Sequence, residues 1–553
     1  MEVPKMTGLR PSAQNLAMTL KIALAQINTT VGDIDGNAAR IRGFAQRAKD
    51  LGADLLVTPE LALCGYPPED LLFRPDFLKD CDAALDELAE CARGISLLVG
   101  HPLARDGKRF NAATLLSDGV RAAVYCKQTL PNYEVFDERR YFTPGDAPCV
   151  VELCGVRCAI SICEDIWEAG AANQARELGA RVLLVLNASP YHIGKQSLRE
   201  TIVRERIGAT GLSVVYVNLV GGQDELVFDG GSFAWDSRET LCLELPKFEE
   251  ALGVVELVDG EPQAGKIAQK CVEEAEIYQA LVLGVRDYLG KNGFPGAIVG
   301  LSGGIDSALT LCIAVDALGA DAVRAVMMPS PYTAAISLDD SREMVARLGV
   351  RYDEISIARA METFGAMLEK EFAGLPSDAT EENIQARIRG MTLMALSNKS
   401  GALVLTTGNK SEMAVGYCTL YGDMAGGFAV IKDIAKTLVY RLARWRNALS
   451  PVIPERILTR APSAELKPGQ TDQDNLPPYE VLDAIVEAYM ERDLSPREIV
   501  AKGTPDADVR KVVRLLRINE YKRRQAPIGI RVTQRGFGKD WRYPITNRYD
   551  DLR

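Results

Sequence analysis

Short apolar segments alternate with amphipathic segments along most of the chain, and this alternation constrains the fold more than any other feature. Between residues 20 and 258 the apolar segments have strand length, and the amphipathic segments have helical spacing. Residues 260–265, Gly-Glu-Pro-Gln-Ala-Gly, form a polar, turn-rich break, after which a second cycle of alternation runs to about residue 406. The pattern predicts two α/β units, each with a sheet that helices cover.

In the first unit the apolar segments predict strands at Ile22–Ile27, Leu55–Val57, Ile95–Val99, Ala122–Tyr125, Ala159–Cys163, Val182–Leu186 and Val214–Val217. The amphipathic segments predict helices at Gly36–Leu51, Asp76–Ala92 and Lys195–Ile207. After a helix predicted at Lys266–Leu289, the second unit has predicted strands at Ala297–Leu301, Ala325–Met328, Glu354–Ile357 and Ala402–Thr406. Its predicted helices are one that begins at Asp306, one at Leu338–Leu348 and one at Glu382–Leu396. This regular alternation of strands and helices predicts a doubly wound parallel sheet.

The composition limits the classes of partner that the chain can have. Its 553 residues include 64 Lys and Arg against 75 Asp and Glu, which gives a net charge of −11 and disfavours nucleic-acid or anionic-membrane binding. No apolar segment approaches the roughly 18 residues that a membrane-spanning helix needs. Residues 1–18 are polar, without the apolar stretch of a secretory signal, and we interpret them as a short extension in which Met18 is an alternative start.

Cysteine and histidine usage indicates the compartment and the available proton chemistry. Twelve cysteines without a C-x-x-C pair, most of them in apolar segments, favour free thiols and a cytoplasmic location. The chain has only two histidines, and we expect His101 and His192 to be structural residues. Proton transfer would then fall to carboxylates, lysines, thiols or a bound cofactor.

The segment Ser302-Gly303-Gly304-Ile305-Asp306-Ser307 follows a predicted strand and begins a helix. The two glycines let backbone N–H groups approach an anion, and the helix N-terminus is positively polarised. Asp306 would repel a phosphate unless a metal ion lay between them, so the segment predicts a site for Mg²⁺ and a polyphosphate. It is not a Walker motif, because the nearest lookalike, Gly284 to Asn292, has the wrong spacing and lacks the Ser or Thr.

This segment resembles the pyrophosphate loop of the ATP-pyrophosphatase family, whose members cleave ATP to AMP and pyrophosphate while adenylating a substrate. Within that family the second half is similar to the NAD synthetases at several separated places. The matching segments are Glu382–Arg389 with Asn383 and Arg387, Thr407-Gly-Asn-Lys-Ser-Glu412, Tyr421-Gly-Asp423, Lys436, Pro462–Leu466 and Gln470–Asp472.

The resemblance implies a role for each matching residue. Asp306 and Glu412 would hold Mg²⁺, Lys436 would neutralise phosphate charge, and the loop from Ser302 to Ser307 with Thr407 would bind ATP. The implied residues for the dinucleotide substrate, deamido-NAD, are Asn383, Arg387, Glu412, Asp423 and Lys436. These roles suit an adenylating enzyme, because transfer of the adenylyl group from ATP requires neutralisation of the negative charge on the triphosphate.

In the first half, three reactive residues follow predicted strands: Glu60, Lys127 and Cys163. The carboxyl ends of strands in an α/β sheet meet at one edge, so we expect the three to lie together. A helix start at Cys163 and a nearby lysine would shift the thiol towards the thiolate, and a buried Glu60 could take its proton. This arrangement predicts a hydrolase that needs no histidine, although Cys163 could also be a buried structural thiol.

The segments around these residues resemble the nitrilase superfamily, and residues 65–71, Gly-Tyr-Pro-Pro-Glu-Asp-Leu, resemble the glutamine-amidase domain that is fused to NAD synthetases. The resemblance implies a four-layer αββα sandwich and a Glu60–Lys127–Cys163 triad that forms a thioester with glutamine. It implies an auxiliary role for Glu138, while Tyr133, Ser189 and Lys195 are candidates for binding glutamine, with ordinary loop residues as the alternative.

Together the resemblances imply amidation of deamido-NAD to NAD by Mg-ATP, with ammonia released from glutamine. We expect a glutaminase domain over 19–259, a linker over 260–275, a synthetase domain over 276–553, a homo-oligomer, and an internal passage for ammonia. Two alternatives remain at this stage. One is another ATP-pyrophosphatase amidotransferase, against which the nitrilase-like half argues. The other is a non-catalytic ATP sensor, which would need few of these residues.

Overall fold

A computed structural model describes residues 17–462, 465–467, 472–474, 476–549 and 551. Most of the predicted N-terminal extension lies outside the described residues. So do Ser463, Ala464, Gln470 and Thr471 of the segments that resemble a substrate loop.

The structure alternates strands and helices in both halves. The strands are β1 (Thr19–Gln26), β2 (Leu55–Val57), β3 (Ser96–Arg105), β4 (Lys108–Ser117), β5 (Val120–Cys126), β6 (Cys149–Leu153), β7 (Val156–Ile162), β8 (Val182–Asn187), β9 (Ser213–Asn218), β10 (Val220–Gln223), β11 (Leu226–Asp229), β12 (Phe233–Trp235), β13 (Leu241–Glu244), β14 (Ala251–Val258), β15 (Glu261–Pro262), β16 (Ala297–Gly300), β17 (Val323–Met327), β18 (Arg351–Glu354), β19 (Leu403–Thr406) and β20 (Phe428–Ala429). The α-helices are α1 (Ile34–Asp50), α2 (Pro75–Cys91), α3 (Ala169–Glu177), α4 (Lys195–Thr210), α5 (Glu273–Lys291), α6 (Ile305–Leu318), α7 (Ala335–Leu348), α8 (Ala358–Leu368), α9 (Ala379–Ser400), α10 (Lys410–Val415), α11 (Lys436–Leu449), α12 (Glu455–Thr459), α13 (Tyr479–Val486), α14 (Pro496–Ala501), α15 (Asp506–Ile518) and α16 (Glu520–Arg523).

The first half is the predicted αββα sandwich. A seven-stranded sheet in the order β15-β14-β1-β2-β3-β4-β5 faces a six-stranded sheet in the order β13-β12-β9-β8-β7-β6. Apolar side chains of both sheets meet in one buried cluster between them. Helices α1 and α2 cover the outer face of the larger sheet, and α3 and α4 cover the smaller one. Each sheet is therefore buried on both faces, which explains the continuous apolar segments of its central strands.

The second half contains a parallel five-stranded sheet in the order β18-β17-β16-β19-β20. Residues of α5, α6 and α11 pack on one face, and residues of α8 and α9 pack on the other, which is the predicted doubly wound arrangement. The strand order reverses between β16 and β19. In open sheets of this kind, ligands bind beyond the carboxyl ends of the strands at such a reversal.

Helix α5 joins the two halves. Its Asp287 carboxylate accepts hydrogen bonds from the Gly222 amide and the Asn28 side-chain amide, both at 2.7 Å. Its Lys291 ammonium donates to the carbonyls of Thr29 and Gly222 at 2.8 Å. The β10–β11 hairpin of the first half therefore lies against the first helix of the second half.

Two predicted elements differ from the structure. The predicted helix at 266–289 begins only at Glu273, because residues 266–268 run beside β13, where the Ala268 amide donates to the Glu244 carbonyl at 3.1 Å. The strand predicted at 354–357 lies at β18 instead. That strand is at the sheet edge and half-exposed, so its sequence is polar and gave no apolar signal.

Among the residues that the structure describes, the helices lack a stretch both long and apolar enough to span a bilayer. The twelve cysteines are free thiols, as predicted.

Candidate active sites

A buried cluster of charges lies between the two sheets of the first half. The Lys127 ammonium donates to the Glu60 carboxylate at 2.7 Å and to both oxygens of Glu138 at 2.9 Å. All three side chains are almost completely buried. Burial opposes the charge on Lys127, but the carboxylates of Glu138 and Glu60 raise its pKa above the usual value. Burial raises the pKa of Glu138 to about 7, although Lys127 opposes that shift.

Cys163 directly follows β7 and is buried beside this cluster, with its backbone in the left-handed region at φ 45°. A non-glycine residue is uncommon there, and such strain is frequent at functional sites. Burial and the charge of Glu60 raise the pKa of the Cys163 thiol, and Lys127 only partly offsets this effect. The prediction of a thiol shifted towards the thiolate is therefore wrong for this resting state, in which only a short 3₁₀ turn begins at Cys163.

The three reactive residues come together, but from two sheets and not from one. Glu60 and Lys127 follow β2 and β5 of the larger sheet, while Cys163 follows β7 of the smaller sheet. Strand β5 runs in the direction of β2 and β3, because β3 and β5 are both antiparallel to β4. The strand ends therefore meet across the interface between the sheets.

The candidates for binding glutamine lie around the thiol. The Tyr133 hydroxyl donates to the Glu164 carboxylate at 2.9 Å, and the Ser189 hydroxyl accepts from Arg199 at 3.2 Å. The Lys195 ammonium lies 4.3 Å from the centre of the Trp167 ring. Burial and the neighbouring Arg199 lower the pKa of Lys195 to about 8, while the charge of Cys163 acts in the opposite direction.

Sequence reasoning missed several residues that build this site. The Asn111 amide and the Ala188 backbone amide donate to Glu60 at 2.7 and 3.0 Å, and Tyr66 donates to Glu138 at 3.0 Å. Asn111 lies on β4, a strand that was not predicted. Asp165, two residues after Cys163, accepts from Tyr125 and from three backbone amides, which fixes the turn that carries the thiol. The acidic pair that directly follows Cys163 was the available signal.

In the second half, the loop at 302–307 lies at the carboxyl end of β16, where the strand order reverses. The Ser302 and Ser307 hydroxyls are 3.0 Å apart, and the Gly304 amide donates to Ser302 Oγ at 3.2 Å. Gly303 has φ 79°, and a Cβ there would lie 2.7 Å from the Ser337 carbonyl oxygen. A side chain at this position would thus be both strained and obstructed.

Asp306, Glu412 and Lys436 converge beside this loop. The Lys436 ammonium donates to Asp306 at 2.5 Å and to Glu412 at 3.5 Å, and the Asn409 amide donates to Asp306 at 2.9 Å. Burial raises the pKa of Glu412 to about 8, with Lys436 acting in the opposite direction. Burial disfavours the charge on Lys436, yet Asp306 and Glu412 raise its pKa. Thr407 lies half-buried just beyond β19.

Asn383, Arg387 and Asp423 are grouped around the turn that begins at Thr419. Thr419 donates its hydroxyl to Asn383 at 2.8 Å and its amide to Asp423 at 2.6 Å, and Arg387 donates to the Leu420 carbonyl at 3.3 Å. Arg387 and Asp423 are exposed to solvent. Asn383, Arg387 and Asp423 therefore all bond to the same turn, at Thr419 or Leu420.

Three remaining motifs have structural roles. In the basic run at 522–524, Lys522 and Arg523 donate to backbone carbonyls of residues 413–418, and the exposed Arg524 pairs with Glu520 at 2.8 Å. His101 is buried and bonded to Thr114 at 2.6 Å, and burial lowers its pKa to about 4. The lookalike of a Walker motif is the end of α5, as predicted.

One cavity of about 620 Å³ lies between the halves. Glu138 lines it from the first half, and Lys432 and Asp433 line it from the second. Asp433 pairs with Lys410 at 2.9 Å, next to Asn409, which bonds to Asp306. The cavity thus reaches Glu138 of the first site and, in the second half, a neighbour of the residues around Asp306.

The fold and the two sites define the class: a nitrilase-type hydrolase unit joined to an ATP-pyrophosphatase-type unit. The family model for carbon–nitrogen hydrolase matches residues 21–263, and the one for NAD synthase matches residues 277–526. A glutamine-dependent NAD(+) synthetase of Acinetobacter baylyi is 50% identical over 96% of this chain and 100% of its own length. One of Thermotoga maritima is 46% identical, over 96% of this chain and 99% of its length.

A solved glutamine-dependent NAD+ synthetase of Acinetobacter baumannii, in complex with ADP, aligns with a TM-score of 0.79 at 48% identity, over 96% of this chain and 99% of that one. The chain therefore belongs to the family of glutamine-dependent NAD(+) synthetases.

Proposed function

We propose that this chain is a ligase that amidates deamido-NAD to NAD, with ATP as the energy source and glutamine as the nitrogen donor. The products are NAD, glutamate, AMP and pyrophosphate. The observation that best supports this function is the buried Glu60–Lys127–Glu138 cluster beside Cys163, in a chain that also has the diglycine loop at a sheet reversal.

In the first half, Cys163 would attack the side-chain amide carbon of glutamine. Glu60 would take the thiol proton and deliver it to the leaving nitrogen, so that ammonia departs and a thioester forms. Glu60 would then take a proton from the water that attacks the thioester and return it to the departing Cys163 sulfur, which releases glutamate. Burial raises the pKa of the resting thiol, which favours a proton transfer to Glu60 that accompanies the attack.

In the same site, Lys127 would stabilise the charge that develops on the amide oxygen, and its hydrogen bonds would hold Glu60 and Glu138 in place. The buried ammonium can do so because two carboxylates hold it in place. Tyr133, Ser189 and Lys195 would bind the polar groups of glutamine. Lys195 supplies a positive charge, which suits the α-carboxylate of glutamine.

In the second half, the nicotinate carboxylate of deamido-NAD would attack the α-phosphorus of ATP and release pyrophosphate. The loop at 302–307 and Thr407 would bind the phosphates through backbone amides and hydroxyls. Lys436 would shift from its carboxylates towards the phosphate charge. Ammonia would then displace AMP from the adenylate. Asn383, Arg387 and Asp423 are the proposed contacts for the dinucleotide.

The residues of this centre fit Mg²⁺. Asp306 and Glu412 approach the same ammonium, and Mg²⁺ is usually held by one or two carboxylates together with substrate phosphates. A bound Mg²⁺ would supply neutralisation of the triphosphate charge.

The cavity between the halves supports passage of ammonia from one site to the other. Both Glu138 and Asp433 line it. A route inside the molecule would protect ammonia from protonation in solvent. We further propose a glutaminase domain over 19–259, a linker over 260–275, a synthetase domain over 276–553, a homo-oligomer and a cytoplasmic location.

Pyrophosphate release tests the function against that of a non-catalytic ATP sensor. With ATP, deamido-NAD and Mg²⁺, we expect pyrophosphate to form only when deamido-NAD is present, because its carboxylate is the attacking group. A coupled phosphate assay measures this release, and NAD in place of deamido-NAD is the matched control. Binding of ATP without pyrophosphate release would contradict the proposal and favour the sensor.

A further inference from the structure

Arg460, at the end of α12, contacts the diglycine loop from outside. Its guanidinium donates to the Gly303 carbonyl at 2.8 Å and to the Ser337 hydroxyl at 3.1 Å. The guanidinium thus bridges the loop and the first turn of α7. Sequence reasoning did not single out this arginine, because it lies 157 residues from the glycine that it contacts.

The contact fixes the direction of a backbone amide. The Gly303 carbonyl and the Gly304 amide belong to one planar peptide unit, so they point in opposite directions. Holding the carbonyl therefore sets where the Gly304 N–H points, and at present it points to Ser302 Oγ. Gly303 is at φ 79°, and a glycine without a side chain permits this peptide to rotate more freely than another residue would.

Glu465 completes the contact. Its carboxylate accepts from the Ser337 hydroxyl at 2.6 Å and from the Ala334 amide at 3.3 Å, and it lies 4.0 Å from the Arg460 guanidinium. Ser337 is fully buried, so this hydroxyl has a fixed position between the two charged groups. Arg460 and Glu465 therefore both bond to Ser337 of α7, and Arg460 also bonds to the diglycine loop.

We propose that Arg460 is a positioning residue that holds the Gly303–Gly304 peptide, and with it the hydrogen bond from the Gly304 amide to Ser302 Oγ, in the loop conformation that binds the pyrophosphate part of ATP. It acts through the Gly303 carbonyl, and Glu465 and Ser337 hold its guanidinium in place. The role rests on the proposed function, in which the loop binds ATP. The planar fork of arginine suits a carbonyl and a hydroxyl at once, and the point charge of lysine does not.

The test compares Arg460→Gln with wild type, with ammonium as the nitrogen donor so that the first half takes no part. We expect KM for ATP and the inhibition constant of pyrophosphate to rise roughly tenfold or more, as for loss of a charge-assisted hydrogen bond. KM for deamido-NAD and the rate of glutamine hydrolysis should stay unchanged. Arg460→Lys should raise the same two constants as Arg460→Gln, because lysine keeps the charge but lacks the paired N–H donors of the guanidinium.

Arg347→Gln is the matched control. Arg347 lies at the opposite end of α7 and also pairs with a glutamate, Glu343, and a backbone carbonyl, that of Pro451 at 3.2 Å. Identical KM values for ATP in Arg460→Gln and Arg347→Gln, or a wild-type value in Arg460→Lys, would overturn the proposal. Should Arg460→Gln fail to fold, Arg460→Lys and Ser337→Ala test the proposal instead. Both should raise KM for ATP and the inhibition constant of pyrophosphate. A wild-type protein that makes no NAD from either glutamine or ammonium would instead contradict the proposed function itself.

Discussion

A Cys163→Ala variant is expected to lose glutamine-driven NAD formation and to keep ammonium-driven NAD formation. The thiol is the proposed nucleophile for the amide, and the variant leaves the Asp306–Glu412–Lys436 centre untouched. We expect the glutamine-driven rate to fall by roughly four orders of magnitude or more, on the scale known for loss of a covalent nucleophile. NAD formation measured separately with glutamine and with ammonium checks both parts.

Cys158→Ala is the control for this variant. Cys158 is a buried thiol on β7, the strand that ends just before Cys163, and its thiol bonds to the Val156 carbonyl. Its removal changes the packing of the same strand without touching the proposed chemistry, so both activities should persist. Equal survival of both activities in Cys163→Ala would show that the assignment of the triad is wrong.

Asp306→Ala is expected to abolish NAD formation with either nitrogen donor. The variant removes one proposed Mg²⁺ ligand and one of the two carboxylates with which Lys436 forms a salt bridge. We expect a fall of roughly a thousandfold or more, as for loss of a preorganised group that stabilises transition-state charge. Pyrophosphate release and NAD formation, each measured with ammonium, check this result.

Asp316→Ala controls for loss of an ion-paired aspartate. Asp316 lies near the other end of α6 and pairs with Arg446 at 2.6 Å. Its loss should lower the stability of the protein without abolishing synthesis. Persistent NAD formation in Asp306→Ala would refute the metal role of this carboxylate.

Much of the fold followed from apolar spacing, because the central strands of both halves are buried on both faces. Strand β8, for example, is buried along its whole length and was predicted almost to the residue. Other strands were misplaced or missed, among them the edge strand β18 and the interior strand β4. Half-exposed β18 has the sequence Arg-Tyr-Asp-Glu, which carries no periodic apolar signal.

The candidate sites could be predicted from short motifs at strand ends. The contacts between these motifs could not be predicted from the sequence. The sequence indicated Glu60, Lys127 and Cys163, but not that the thiol comes from a second sheet. Nor could spacing show that Asn111 bonds to Glu60 or that Arg460 reaches Gly303. Such contacts join residues 51 and 157 positions apart, and only the packing of the sheets and helices brings them together. The raised pKa of the thiol likewise depends on burial, which a motif does not report.

Competition between nitrogen isotopes tests the central claim most directly, namely that one half produces the ammonia that the other half consumes inside the molecule. Wild-type protein would receive glutamine labelled with ¹⁵N in the side-chain amide, together with an excess of unlabelled ammonium, and mass spectrometry would measure ¹⁵N in the NAD formed. We expect the label in NAD to exceed by far its share of the free ammonium, because the cavity between Glu138 and Asp433 would deliver it directly. A label equal to that share would contradict internal transfer.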